Sequence, residues 1–164
     1  MQTHIRMAGA ADIKAVLAIY RSLVGTPGCT WGSDYPNIED VTGDVNANAL
    51  FVLCDAPGDI LGAIAVCEDD IGHLPCWNKQ IKKPCLLARL GVRVQEQGKG
   101  RARQLMRFAE QEAEKRGCDG IRFLVSPHNP RALRLYDSLG YRSAGETRMF
   151  DIDWLCYEKR IPAG

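Results

Sequence analysis

Residues 89–106 constrain the fold more than any other stretch of the chain. Apolar side chains alternate with other residues over positions 90–94, which is the period of a β-strand. Two glycines within residues 97–100 then interrupt the pattern. Apolar residues recur at helical spacing over positions 101–116, and Gly117 is typical of the residue that follows a helix. The sequence therefore predicts a strand, a glycine turn and a helix in succession.

A glycine turn that leads into a helix is suited to binding phosphate. The N–H groups of a helix's first turn have no acceptor within the helix, and they lie at the positive end of its dipole. Glycine has no Cβ, so that an anion can approach the backbone closely. The same pattern also occurs in strand–turn–helix connections that bind nothing, and these residues alone leave both interpretations open.

Two common phosphate loops do not match this turn. The P-loop requires Ser or Thr after its lysine, whereas Lys99 is followed by Gly100. A dinucleotide fingerprint that began at Gly98 would require Gly or Ala where Arg103 stands. The pattern that remains is Gln-x-x-Gly-x-Ala over residues 97–102.

A second motif follows about thirty residues later, over residues 129–141. Asn129 suits a helix N-cap, Pro130 suits the first helical position and Gly140 suits the residue after the helix. Four residues of this helix have the spacing of an apolar face that packs on a core: Ala132, Leu135, Tyr136 and Leu139. Taken alone, the motif predicts an ordinary packed helix.

Together the two motifs resemble those of the GNAT (GCN5-related) N-acetyltransferases, whose acetyl-CoA signature is Gln/Arg-x-x-Gly-x-Gly/Ala. The resemblance is specific over residues 85–150. It implies an α/β (α+β) fold with a central mixed, mostly antiparallel twisted sheet of six or seven strands and about four flanking helices. The fourth and fifth strands are expected to splay apart. No repeat or linker divides the chain, so we expect a single domain over residues 1–164.

The remaining patterns agree with such a fold. Alternating or apolar runs predict further strands, and amphipathic runs predict helices near the N-terminus. The predicted strands cover residues 3–7, 50–54, 60–68, 85–94 and 120–126, with two more within 141–157 that are expected to meet near Glu146. The predicted helices begin at Ile13 and at Ile38.

The resemblance implies acetyl-CoA as the acyl donor. It places the donor on the fourth strand, the glycine turn and the second motif, through Leu90, Val92, Gln97, Gly98, Lys99, Gly100, Arg101, Ala102, Arg103, Asn129 and Tyr136. Asn129 is expected on the pantetheine or phosphate arm. Tyr136 is expected to point at the CoA sulfur as the general acid. The charges of Lys99 and its neighbours also fit a solvated helix face.

The implied reaction is transfer of an acetyl group to a primary amine by direct attack in a ternary complex. An aliphatic amine with a pKa near roughly 10 is about one part in a thousand neutral at pH 7, so that its proton must be removed. The fourth strand carries no carboxylate over residues 85–90. Glu68 is the nearest candidate base, and a water chain is the alternative.

The acceptor site is expected in the irregular regions 25–49 and 69–84. Their aromatic and acidic residues are candidate substrate contacts, namely Trp31, Asp34, Tyr35 and Trp77. With Glu68, these residues favour an amine of a small molecule or peptide. A non-catalytic acyl-CoA-binding or sensor module with the same fold is the alternative function, and a scaffold with a purely structural turn is a third.

Composition limits the partners and the compartment. A formal net charge of +1 argues against binding nucleic acid or an anionic membrane through bulk charge. The N-terminus has no signal-peptide pattern, so we expect a cytoplasmic protein, which could form a homodimer. The seven cysteines include no C-x-x-C pair, which predicts free thiols in a reducing compartment rather than a disulfide framework. The three histidines are far apart and no metal site is expected.

Overall fold

The protein is described here by a computed structural model, in which residues 2–162 are placed. They form seven strands and four helices. In chain order these are β1 (Thr3–Met7), α1 (Ile13–Leu23), α2 (Ile38–Asn46), β2 (Leu50–Asp55), β3 (Ile60–Glu68), β4 (Pro84–Val92), α3 (Arg101–Lys115), β5 (Gly120–Val125), α4 (Pro130–Ser138), β6 (Arg142–Met149) and β7 (Ile152–Arg160).

The strands form one mixed sheet in the order β1-β2-β3-β4-β5-β7-β6. Neighbouring strands run antiparallel in the pairs β1–β2, β2–β3, β5–β7 and β6–β7, whereas β4 and β5 run parallel. The fold class expected from the two motifs is therefore confirmed. None of the helices in the described part of the chain has the length and apolar character to span a membrane.

The chain divides into two compact units. The first comprises the chain up to Cys67 together with Ala88–Ala109, and the second comprises Glu68–Leu87 together with the chain from Glu110 on. The boundary falls within β4 and within α3. The expected single domain stays a prediction.

The core of the first unit lies between α1, α2 and the β2–β3 hairpin. Val16, Tyr20 and Leu23 recur at helical spacing on α1 and are buried. The helix ends before Gly25, whose φ of +86° suits glycine. Asn37 caps α2 by accepting hydrogen bonds from two backbone N–H groups of the first turn. The glycine after α1 and the asparagine cap of α2 therefore mark helix ends that agree with the helices packed on this core.

β4 leaves its neighbour after a short stretch of pairing. The parallel pairing with β5 covers Pro84–Leu86, whereas both strands continue beyond it, β5 as far as Val125. This early end of the pairing is consistent with the expected splay. Within β4, Gly91 packs closely against Tyr20. A Cβ on Gly91 would lie only 2.9 Å from the tyrosine ring. The absence of a side chain at Gly91 therefore allows this close approach of the backbone.

The second unit is organised around β5, β7 and an aromatic cluster. Phe123 of β5 makes an edge contact with Tyr136 of α4, with ring centroids 4.7 Å apart. Tyr141 and Tyr157 complete the cluster. Asn129 caps α4 by accepting a hydrogen bond from the N–H of the third helical residue, as the motif predicts. The cluster thus fixes one face of α4.

Three local expectations differ from the structure. β4 ends at Val92 rather than at residue 94, because a 3₁₀ turn begins at Val94. Glu146 lies inside β6 rather than near the junction with β7, which is a turn at residues 150 and 151, both with positive φ. Cys85 and Cys118 form a disulfide, so the expectation of free thiols is wrong for this pair, while the other five cysteines form no disulfide.

Candidate active site

The glycine turn of the first unit leaves its backbone open. Gly98 and Gly100 have φ of +80° and +82°, the left-handed region that favours glycine. α3 begins directly after them, and the N–H of Gln104 donates to the carbonyl of Gly100. A Cβ built on Gly100 would meet no atom within 4 Å. The space that a side chain would fill is therefore open to a ligand that approaches the helix N-terminus.

A carboxylate links the basic residues of this turn. Glu96 accepts hydrogen bonds from Lys99 at 3.0 Å and from Arg101 at 3.2 Å. The bond from Lys99, supported by that from Arg101, holds the pKa of Glu96 below its usual value. The carboxylate keeps both cations at the turn, but it also neutralises part of their charge. Glu96 lies one residue before the motif, and nothing in the motif marks it as a partner of the basic residues.

The turn is connected to the end of β4. The side-chain amide of Gln97 donates to the carbonyl of Val92 at 3.3 Å. Val92 is buried, whereas Leu90 is half-buried. The structure thus brings the predicted acyl-arm residues and the predicted phosphate turn together in one unit. Their roles stay predictions.

Arg89 lies in the middle of β4 at the centre of a polar network. Its Nε and Nη2 donate to the two carboxylate oxygens of Asp44, both at 2.6 Å. Its Nη1 donates to the hydroxyl of Tyr35 at 2.8 Å, and Nη2 also contacts the thiol of Cys67. Asp44 is buried, and the side chain of Arg89 is 17% exposed. Neither Asp44 nor Arg89 was identified from sequence, since nothing local marks residues 45 positions apart as partners.

Three of the predicted acceptor residues lie in the loop between α1 and α2. Tyr35 is exposed and bonds to Arg89 through its hydroxyl. Trp31 makes an edge contact with the buried Tyr20, with ring centroids 5.1 Å apart. Asp34 is exposed. The loop therefore offers an aromatic and acidic surface, and contact with an acceptor stays a prediction.

Tyr136 differs from its neighbours in the second unit. The hydroxyl of Tyr141 donates to Glu110 at 2.9 Å, and that of Tyr157 donates to Asp137 at 3.0 Å. Among residues 2–162, the Tyr136 hydroxyl has no hydrogen-bond partner. Desolvation by its surroundings raises the pKa of Tyr136 to about 12, so the phenol is protonated at neutral pH. It is the tyrosine of this cluster whose proton is not committed to another side chain.

The acidic loop after β3 contains one paired and two exposed carboxylates. Asp69 lies 3.4 Å from the guanidinium of Arg122, while Glu68 and Asp70 are exposed. Trp77 is buried under this loop, donates its indole N–H to a backbone carbonyl at 2.7 Å and stacks on Arg122. These contacts are structural, and a role of Trp77 in acceptor binding stays a prediction, as does the role of Glu68 as base.

A separate cavity in the second unit involves none of the predicted site residues. It has a volume of about 450 Å³ and is lined in part by His128, Glu146 and Trp154.

Within the described residues, no group of three or more His, Cys, Asp or Glu side chains is arranged to hold a metal ion.

Comparison with known proteins identifies the family. The chain matches the acetyltransferase (GNAT) family over residues 17–141. The chain belongs to this family. The structural resemblance is wider than the sequence resemblance, since solved GNAT structures cover nearly the whole chain.

One curated protein and two solved structures illustrate what the chain is similar to. The L-methionine sulfoximine/L-methionine sulfone acetyltransferase of Pseudomonas paraeruginosa is 24% identical over 151 residues, covering 89% of this chain and 84% of that protein. Ard1 from Thermoplasma volcanium has a TM-score of 0.80 at 14% identity and 99% coverage of both chains. YncA from Salmonella typhimurium, solved with its cofactor acetyl-CoA, has a TM-score of 0.77 at 19% identity, covering 100% of this chain and 96% of that chain. The two structural likenesses define the fold.

Proposed function

We propose that this GNAT protein transfers an acetyl group from acetyl-CoA to a primary amine of a small molecule or peptide, by direct attack in a ternary complex. The observation that carries the proposal is the open glycine turn at the start of α3. Gly100 is left-handed and its missing Cβ leaves space above the backbone. A related GNAT structure contains acetyl-CoA, which supports the same donor here.

Residues of the first unit would hold the donor. Backbone N–H groups at the start of α3 bind the pyrophosphate, where the helix dipole favours negative charge. Lys99 and Arg101 supply positive charge, and their bonds to Glu96 keep both side chains at the turn. Arg103, Gly98 and Ala102 complete the donor-binding turn. The edge of β4 that β5 does not pair, at Leu90 and Val92, binds the acyl arm through its backbone.

The chemistry requires three tasks from the chain. A backbone N–H on β4 polarises the thioester carbonyl as negative charge develops on its oxygen. A base, Glu68 or a water that it orders, takes the amine proton. Tyr136 gives its proton to the departing CoA sulfur. The amine nitrogen forms a bond to the acetyl carbon, the carbon–sulfur bond breaks, and the products are the acetylated amine and CoA.

The acceptor is proposed to be a small amine-bearing molecule that contacts Trp31, Asp34 and Tyr35. The curated relative acetylates derivatives of methionine, which carry an α-amino group. The exposed carboxylates of Glu68 and Asp34 also favour a cationic amine over a neutral alcohol. Peptide N-termini satisfy the same chemistry and belong in any acceptor panel.

Thiol release from acetyl-CoA, measured with a panel of amines and their matched alcohols, tests this function. We expect release that depends on an amine and exceeds release with the matched alcohol. Faster reaction with alcohols would overturn the acceptor class. Tight acetyl-CoA binding without amine-dependent release across the panel would instead support the non-catalytic acyl-CoA module.

A further inference from the structure

The backbone of β4 is left-handed at Arg89. Its φ is +50°, inside a strand where extended geometry is the rule. A residue with a Cβ is strained in this region, whereas glycine is not. Non-glycine residues in this conformation persist where the surroundings hold them, and they cluster at functional sites. Something in the first unit must therefore stabilise this conformation.

The side chain of Arg89 supplies that stabilisation. The bidentate bond to Asp44 uses two directions of the planar guanidinium at once, which fixes its plane as well as its position. The bond to the Tyr35 hydroxyl fixes a third direction. Both partners lie outside β4. Their bonds to the Arg89 side chain therefore fix the position of the strand at this residue. Lysine could not make the same set of bonds.

A second contact holds β4 two residues later. Gly91 lies against the ring of Tyr20, with no room for a side chain, and Tyr20 is fully buried. Leu90 lies between these two held positions. One left-handed residue in a strand turns the adjoining peptide groups out of their regular alternation. Here it does so in the part of β4 beyond the pairing with β5, which ends at Leu86.

We propose that Arg89 is a positioning residue for acetyl transfer. Its ion pair with Asp44 holds β4 in the left-handed conformation, and this conformation directs the peptide groups at Leu90 toward the thioester carbonyl. The inference rests on the proposed function, since it concerns the acyl arm of acetyl-CoA. Arg89 acts only through the backbone, and its side chain does not contact the reacting atoms.

Two double variants separate the backbone conformation from the ion pair. Asp44→Ala/Arg89→Gly and Asp44→Ala/Arg89→Val both remove the pair without leaving a buried charge alone. Glycine adopts positive φ freely, whereas a β-branched valine strongly disfavours it. The two variants therefore differ mainly in the conformation available at residue 89. If the valine variant does not fold, Asp44→Ala/Arg89→Ala replaces it, with the same order expected.

The readout is the ¹³C shift of the carbonyl of bound, carbonyl-labelled acetyl-CoA, together with the dissociation constant of the complex and kcat with the best amine of the panel. We expect both variants to bind acetyl-CoA with similar affinity, because the glycine turn is intact. The valine variant should lose the polarised carbonyl shift, and its kcat should be about tenfold or more below that of the glycine variant.

The outcomes distinguish an error in the positioning role of Arg89 from an error in the proposed function. If the wild-type protein binds acetyl-CoA but the two variants show the same carbonyl shift and the same kcat, the positioning role of Arg89 is wrong while the proposed function stands. If the wild-type protein does not bind acetyl-CoA, the proposed function is wrong and this inference is overturned with it.

Discussion

The glycine turn and the Arg89 network lie in the same unit and use polar groups in opposite ways. The turn is built from residues adjacent in sequence, and the space above Gly100 is open. The network joins residues 45 and 54 positions apart, and its ion pair is mostly buried. Open polar groups are available to a ligand, whereas bonded and buried groups hold the structure. Changes in the two regions should therefore have different consequences.

The largest effect is expected in the open turn. Gly100→Val places a β-branched residue at a φ of +82° and puts its side chain in the space proposed for phosphate. Acetyl-CoA should raise the melting temperature of the wild type, because a ligand that binds the native state stabilises it. It should not raise the melting temperature of the variant, which can no longer bind it. The unliganded variant should still unfold cooperatively. An unchanged acetyl-CoA dissociation constant would contradict the open-turn account.

The bonded network should respond with loss of stability. Arg89→Ala leaves the buried carboxylate of Asp44 without its partner, which typically costs about 3–5 kcal/mol. The exposed pair Arg148–Asp153 provides the control, since Arg148→Ala should cost about 1 kcal/mol or less. Denaturant unfolding compares the two free energies of unfolding. Equal losses would show that the burial of the Arg89 pair has no consequence for stability.

The tyrosines of the second unit also differ in whether their hydroxyl groups are bonded. Tyr136→Phe removes a hydroxyl that no described residue binds, and general acid catalysis is typically worth about 10²–10⁴ in rate. A phenol whose pKa is raised to about 12 is a weak acid, so we expect a loss in kcat of about a hundredfold with little change in melting temperature.

Tyr141→Phe is the matched control for this change. It breaks the bond to Glu110, and hydrogen bonds to charged groups contribute about 1.5–3 kcal/mol. It should lower the free energy of unfolding and leave kcat nearly unchanged. If Tyr136→Phe instead melted early and kept its kcat, Tyr136 would be a packing residue.

The smallest effect is expected at Glu96, which belongs to the turn but is bonded. Glu96→Gln removes the negative charge beside Lys99 and Arg101, so acetyl-CoA should bind about two- to fivefold more tightly at low salt.

Because the pKa of Glu96 is lowered in the folded state, its stabilising bonds are present above the usual carboxyl pKa and are lost as pH falls through the lowered value. The difference in melting temperature between wild type and Glu96→Gln should therefore disappear on acidification. Weaker acetyl-CoA binding by Glu96→Gln would indicate that the carboxylate is needed to position the cations.

The same contrast explains how much the sequence could predict. The turn and the capped helix α4 follow from residues within one or two helical turns of each other. The partners of Arg89 depend on which elements meet in the fold, and no local pattern encodes that. The two-residue turn at Phe150 and Asp151 was missed for another reason, since both have positive φ without the usual Asn-Gly signal.

The cysteines show a limit of the same kind. Composition and spacing do not reveal that Cys85 and Cys118, 33 residues apart in sequence, lie together in the second unit. By contrast, the motif at residues 129–141 located Tyr136 correctly on a helix. It could not show that the hydroxyls of the neighbouring Tyr141 and Tyr157 are bonded to carboxylates while that of Tyr136 is not.

Direct transfer in a ternary complex is the central claim, and intact-protein mass spectrometry tests it most directly. The protein is mixed with acetyl-CoA alone, and then with acetyl-CoA and the best amine of the panel. We predict no acetylated protein in the first mixture, and equal amounts of acetylated amine and CoA in the second. An acetyl group on the protein that forms without amine and is discharged by it would contradict the account, because a side chain such as a free cysteine would then carry the acetyl group.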